Sequence, residues 1–415
     1  MKSDKKRLLE NFISLGALQI FSYVIPLISL PYLSRVLGAD KFGLVFFAQA
    51  FIQYFMVLTD YGFNLSATRE IAVNRHNQNN ISNIFNSVMM VKIILVIISY
   101  AILLVCTIFV PKIHQYSLIF NLTFLMVIGN AIYPVWFFQG IEHMKYITFL
   151  NIFYKTLFLV LIFIFVKQSG DYILVPILNS LGFLVSGIVG FVFAVRKFNI
   201  KLYFPSFNSI KKQFIYSSEF FLSRAACSIY TNTNAFFIGL LTSNVMVAYF
   251  VAAEKIYTAV KHLALPIERA LYPFIAKNKD IKTYKKIFKM SLIANIFITL
   301  FVFVFAKQII LIFYSTELLE AYKILRIFCV SILITWNTIA LSYPLLGGFG
   351  YTKEANRPII IASIIHIVGL VSLYKFSLLN VYSISYLIWL TEGYVLLAVI
   401  YYIHKYKILV PKEGK

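Results

Sequence analysis

Acidic side chains are scarce in this 415-residue chain: 16 Asp and Glu stand against 38 Lys and Arg, and charged residues make up only 13%. A soluble domain is closer to a quarter charged, and 60% hydrophobic residues with a mean hydropathy of +0.81 place the chain in the membrane class. Cysteine is also rare. Cys106, Cys227 and Cys329 are odd in number, widely spaced and set in apolar runs, so neither a disulfide framework nor a zinc knuckle is implied. The six histidines are scattered, with no HExxH and no ligand spacing, which excludes a metal site of that kind. No GxxxxGK[ST] occurs, so no nucleotide engine of the P-loop type and no other cofactor is expected. The net charge of +22 does not indicate nucleic acid, because no basic stretch is long enough to form a domain outside the membrane.

What is abundant is apolar sequence in lengths of about 20 residues, the span of a bilayer-crossing helix. Runs fall near 10–33, 42–60, 86–110, 117–138, 147–166, 172–195, 214–240, 245–266, 287–306, 325–346, 357–376 and 381–403. A shorter apolar piece at Ile309–Phe313 suits an interfacial helix. Lys2–Arg7 followed by an apolar run imitates a signal peptide. The run continues to Leu33 without a small-residue cleavage site and reads as an uncleaved first helix. An even number of spans puts both termini on one side. The loops then shared with the termini hold Arg69, Arg75, Arg196, Lys197, Lys201, Lys211, Lys212, Lys277, Lys279, Lys282, Lys285 and Lys286. Cytoplasmic loops collect Lys and Arg, so both termini are expected inside.

The chain is expected to divide at the basic loop around Arg196–Gln213 into lobes 1–200 and 201–415, each of six spans. Self-comparison supports this. At an offset of 204, Leu37–Ala50 (LGADKFGLVFFAQA) falls on Leu241–Glu254 (LTSNVMVAYFVAAE), and Ile71 and Ala72 fall on Ile275 and Ala276. Two such halves in the same orientation are parallel repeats about an axis along the membrane normal. The fold class expected is all-α integral membrane, with about twelve transmembrane helices in two six-helix bundles.

Charge inside spans is rare, and where present it usually faces protein or water. Lys92, Lys155, Arg224 and Lys255 lie within spans, and Ser217, Arg224, Ser228 and Thr231 form a polar stripe at helical spacing, with Asn232 and Asn234 nearby. An Arg can grip a phosphate bidentately, which a Lys does less well. Arg224, Lys255, Lys92, Lys155, Ser228 and Thr231 are therefore the expected binding groups for an anionic headgroup. Snorkelling is the competing reading for Lys92 and Lys155, as is an internal pair of Arg224 with Glu219. Glu219, Glu254 and Glu392 within spans, and Asp60 at the end of one, are candidates for coupling to an ion gradient. Arg69–Glu70 and Glu268–Arg269 occupy nearly matching places in the two halves and are candidate gate residues; ordinary solvated loop charges would look the same.

Two sets of motifs show a family likeness. Pro31–Gly43 (PYLSRVLGADKFG) is followed by Asp60–Ala72 (DYGFNLSATREIA), and Ser217–Gly239 (SSEFFLSRAACSIYTNTNAFFIG) by Ala248–Ile256 (AYFVAAEKI) and Pro266–Ala276 (PIERALYPFIA). Over essentially the whole length these resemble the Wzx/RfbX-type O-antigen flippases, in the polysaccharide-transporter branch of the MOP exporter superfamily. The resemblance implies two helical bundles around a central cavity in a bacterial inner membrane. It implies a substrate, undecaprenyl-diphosphate carrying an oligosaccharide repeat unit, moved from the cytoplasmic to the periplasmic leaflet. It also implies membrane lipid, an O-antigen polymerase and a chain-length regulator as partners. Alternatives are a multidrug or cation exporter of the same superfamily and a membrane glycan enzyme such as a polymerase. The excess of intramembrane Lys and Arg favours an anionic cargo. The short extracytoplasmic loops disfavour the enzyme.

Overall fold

The computed structural model describes the backbone of residues 2–409, and the side chains of these except 2–20, 23, 222–224, 226, 227 and 229–232. The fold is all-α, with no strand among the described residues. It separates into two compact units, Met1–Ser228 and Ile229–Lys415.

In the first unit α1 (Lys2–Asp60) carries the first two expected spans and is interrupted at Gly38, where φ is 71° and ψ 171°. Only glycine holds that conformation without strain, so a single residue turns one long apolar segment into two. The short α2 (Ser66–Val73) follows, then α3 (Gln78–Phe109), α4 (Pro111–Gln115), α5 (Ser117–Ile132), α6 (Val135–Gly140), α7 (Met144–Phe165) and α8 (Leu174–Lys197). Asn77 starts α3 by accepting from the Asn80 backbone amide, an ordinary N-cap. Helices α5 and α8 meet backbone to backbone at Gly129 and Gly187, where a Cβ on either would clash with the facing main chain. Small residues allow this approach, which dispersion rather than water expulsion stabilises in lipid. The buried Phe85, Trp136, Phe137 and Phe138 belong to one core cluster of this unit.

Helix α9 (Phe207–Leu241) crosses the boundary between units. The second unit continues with α10 (Asn244–His262), α11 (Leu265–Asn278), α12 (Ile281–Val304), α13 (Ala306–Phe313), α14 (Ala321–Leu341), a π-turn at Ser342–Gly347, α15 (Thr352–Lys375) and α16 (Val381–Lys405). Ser243 caps α10 through the Met246 amide, and Asp280 caps α12 through that of Thr283. Tyr284 is buried in this unit's core, its hydroxyl donating to the Ala340 carbonyl at 2.9 Å.

Nine helical segments among the described residues are long and apolar enough to cross a bilayer, and one of them, Val24–Asp60, contains the Gly38 break. The expected spans at 214–240 and 245–266 coincide with α9 and α10, which carry more polar residues. Ile97, Ile108 and Phe109 on α3 are 64%, 70% and 76% exposed, and Phe297 on α12 is 69% exposed. Such faces fit hydrocarbon, not water. The short helix expected at Ile309–Phe313 is α13.

The 204-residue offset reappears in the helices themselves. Gln78 of α3 maps to 282, and α12 starts at Ile281; Phe109 maps to 313, the last residue of α13. Ser117 of α5 maps to Ala321, the first residue of α14. The Tyr133-Pro134 pair returns as Tyr343-Pro344, an offset of 210, so the second unit has gained six residues by that point (210 − 204).

Candidate functional site

Among the described residues, a polar cluster stands out in each unit. In the first, Lys92 of α3 is 2% exposed, and its ammonium lies 3.7 Å from Asp60 Oδ1 and 3.5 Å from the Asn130 carbonyl. Asn130 Nδ2 donates to the same Asp60 oxygen at 3.1 Å. The three residues come from α3, the end of α1 and α5. An ammonium so buried needs a counter-charge, and Asp60 supplies it. Beside the cluster runs a cleft of about 490 Å³, lined by Lys92 and by aliphatic residues including Ile93, Val96, Ile97 and Ile132.

In the second unit a cavity of about 300 Å³ is lined by Asn234, Glu254, Lys255, Tyr257, Thr258, Lys261, His262, Phe328, Ile388 and Glu392. Most of it comes from one face of α10, where 254, 257, 258, 261 and 262 follow helical spacing. Tyr257 shares a 3.0 Å hydrogen bond with Thr335, which fixes that wall. Glu392 of α16 is 7% exposed and Lys255 is exposed. Formally two ammonium groups face two carboxylates, so the net charge of the lining depends on proton occupancy. Behind the wall, buried His366 of α15 places Nε2 2.8 Å from Asn234 Oδ1 and Nδ1 2.9 Å from Thr391 Oγ1.

These clusters are not demanded by the repeated architecture. At the 204 offset, Asn234, Glu254, Lys255 and Lys261 correspond to Leu30, Ala50, Phe51 and Val57 in the first unit. In the other direction, Asp60 and Lys92 correspond to Ala264 and Ile296. At these six positions one unit is polar and the other apolar, whereas Tyr257 and Thr258 correspond to the polar Gln53 and Tyr54. Polar groups in hydrocarbon are costly, and a position that can be apolar and is not points to use.

The expected site residues divide accordingly. Lys255, Glu254 and Glu392 come together around the second cavity, and Lys92 and Asp60 come together in the first cluster. Lys155 is half-buried and donates to Ser22 Oγ at 2.8 Å, an interhelical hydrogen bond within the first unit. The side chains of Arg224 and Thr231 lie outside the described residues; Ser228 is half-buried and Glu219 exposed. Among the gate candidates, Glu70 accepts from Gln213 Nε2 at 2.5 Å, while Arg69 is exposed. Glu268 is half-buried and Arg269 exposed; burial pushes the Glu268 carboxyl up from its ordinary value, partly opposed by Arg269. Sequence reasoning missed Lys261, His262, Tyr257 and His366. The signal was there for His366, an ionisable residue in mid-span, but a search for metal-ligand spacing passes over a lone histidine.

The polysaccharide biosynthesis protein family matches residues 8–279. A protein of Escherichia coli (strain K12) named for O-antigen transport is 33% identical over 276 residues, 66% of this chain and 66% of its own length. A counterpart from Shigella dysenteriae is 33% identical over 279 residues, 66% of this chain and 67% of its own. The match thus spans about two thirds of these curated relatives. Among solved structures, an inward-facing multidrug resistance transporter of the MATE family in the MOP superfamily superimposes with a TM-score of 0.72 at 12% identity, covering 97% of this chain and 100% of that one. The lipid II flippase MurJ in an inward closed conformation gives 0.72 at 14% identity, over 97% and 90% of the two chains. At such identities the likeness is one of fold. It defines a multi-pass membrane protein with the fold of the MOP transporters. Within that class, the chain belongs to the polysaccharide biosynthesis protein family.

Proposed function

We propose that the protein flips undecaprenyl-diphosphate-linked polysaccharide repeat units from the cytoplasmic to the periplasmic leaflet of a bacterial inner membrane, by alternating access. It acts as a transporter and not as an enzyme, with both termini cytoplasmic. The observation that carries this reading is the second-unit cavity, lined by Lys255 and Lys261, whose own equivalents in the first unit, Phe51 and Val57, are apolar. A diphosphate and its sugars cannot cross hydrocarbon unpaired, and a pocket of ammonium groups, hydroxyls and amides lowers that barrier while the prenyl tail stays in lipid. Glu254 and Glu392 compete with the cargo for the lysines and couple its binding to protons or Na⁺. The aliphatic cleft beside Lys92 offers the first unit a surface for the tail. Export of a charge near −2 also runs with the membrane potential, worth about 4–5 kcal/mol at 100 mV.

A multidrug or cation exporter is the second reading, favoured by the two carboxylates and the aromatic walls Tyr257 and Phe328. Reconstituted protein decides between them. Flipping of a fluorescent lipid-linked oligosaccharide that falls at least tenfold in Lys255→Gln/Lys261→Gln supports the proposal. Export of a cationic dye, lost in Glu254→Gln and untouched by the lysine changes, overturns it.

A further inference from the structure

His366 has a hydrogen-bond arrangement with a chemical consequence. Thr391 Oγ1 donates to the Leu387 carbonyl, so its one proton is committed and it must accept from Nδ1–H of the imidazole. Asn234 Oδ1 has no proton to give and accepts from Nε2–H. A ring that donates from both nitrogens is an imidazolium. Turning the Asn234 amide over brings its Nδ2–H to an unprotonated Nε2, and the same three residues then hold the neutral Nδ1–H tautomer with both of these bonds kept. The site accommodates both protonation states for one amide rotation. Because Asn234 also lines the cavity, that rotation is felt there. With the imidazolium, the amide N–H₂ is released from His366; with the neutral ring, the carbonyl oxygen is.

We propose that His366 is a proton-binding site of the second unit, and that its protonation turns Asn234 from acceptor to donor toward the cavity and so raises the cavity's affinity for a phosphate-type oxyanion. The proposal rests on the reading of this cavity as the headgroup site. The groups against His366 or lining the cavity with Asn234 include Thr391 and Glu392 from α16, and Glu254, Lys255, Tyr257, Lys261 and His262 from α10. Glu254 and Glu392 also strengthen anion binding when protonated, so the test must separate them from the histidine. The pH range to survey is wide, from about 4 to 8, so that it reaches below the ordinary imidazole transition.

The test uses the full chain in nanodiscs and two probes, inorganic sulfate and a polyprenyl diphosphate, with affinity and proton uptake measured across that pH range. Full linkage of one proton changes affinity about tenfold per pH unit. The expected result is wild-type affinity that rises as pH falls, with proton uptake on binding. His366→Gln should flatten the dependence, and Asn234→Ala should uncouple it while His366 still titrates. Coupling with both probes assigns the site to the oxyanion alone, and coupling confined to the polyprenyl diphosphate assigns it to the lipid headgroup. Wild-type pH dependence in His366→Gln, with the loss appearing in Glu254→Gln or Glu392→Gln, overturns the proposal. Should His366→Gln fail to fold, hydrogen exchange at the C2 position of His366 in the wild type reads its titration directly, with and without anion. A flat exchange profile overturns the proton site alone. A titrating His366 with neither probe bound at any pH overturns the headgroup reading and the coupling with it.

Discussion

The Lys92–Asp60 pair should respond unequally to removal of its two partners. Lys92 is almost wholly buried, its side chain 3% exposed against 28% for Asp60. At 3.7 Å and an effective dielectric near 20, the attraction is on the order of 4 kcal/mol. Asp60→Asn leaves the ammonium with neutral acceptors alone, the Asn130 carbonyl at 3.5 Å and the new amide oxygen, and uncompensated buried charge costs about 3–5 kcal/mol. Lys92→Met is milder, about 1–2 kcal/mol, because the carboxylate it frees keeps the Asn130 Nδ2 hydrogen bond and partial exposure. The double variant Asp60→Asn/Lys92→Met should lie close to Lys92→Met, a coupling of about 2 kcal/mol or more. Thermal unfolding of the purified protein in detergent measures all three. Asp60→Asn within about 0.5 kcal/mol of wild type, or a double variant no better than Asp60→Asn, would refute the reasoning. Complementation of a strain lacking its own flippase then separates fold from function: a stable double variant that still transports makes the pair purely structural.

Three further outcomes follow from single positions. Gly62 has φ of +76°, and a Cβ there would meet Phe220 Cβ at 2.7 Å, so Gly62→Ala should destabilise by at least about 2 kcal/mol in the same melts. Glu268→Gln should raise the melting temperature at pH 7 and leave it unchanged near pH 4. A carboxyl whose folded pKa is raised contributes stability below its unfolded value that is lost as pH rises through the folded one, and the amide avoids that loss. Asp280 is held below the usual carboxylate range by its hydrogen bonds to Thr283, so its capping contribution should be present at neutral pH and disappear as pH falls through its lowered pKa. A pH titration of stability in wild type and Asp280→Ala, converging in acid, checks it.

How far the chain could be read in advance follows from what each feature depends on. Hydrophobic length is a local property, so the spans were legible from α3 to α16, and even α13 could be seen as a short apolar piece. The repeat was legible because α10 and α12 keep the first unit's register without a gap, until the Tyr-Pro pair slips by six residues. The polar clusters are different, because partners from separate helices cannot be paired from spacing. Lys92 and Asp60 were each visible as intramembrane charges, yet their meeting depends on how α1 and α3 pack. The amphipathic face of α10 was half seen. Glu254 and Lys255 stood out as charges, but Tyr257, Lys261 and His262 lay in the same expected span, 245–266, without being singled out. His366 shows the limit most sharply. Alone in an apolar run it is one more core residue, and only the packing brings Asn234 to one ring nitrogen and Thr391 to the other. Where the same helix layout is built twice, the informative signal is the asymmetry between copies. At the 204 offset Lys255 corresponds to Phe51 and Asn234 to Leu30, so the shared helix layout by itself does not require a polar side chain at either place.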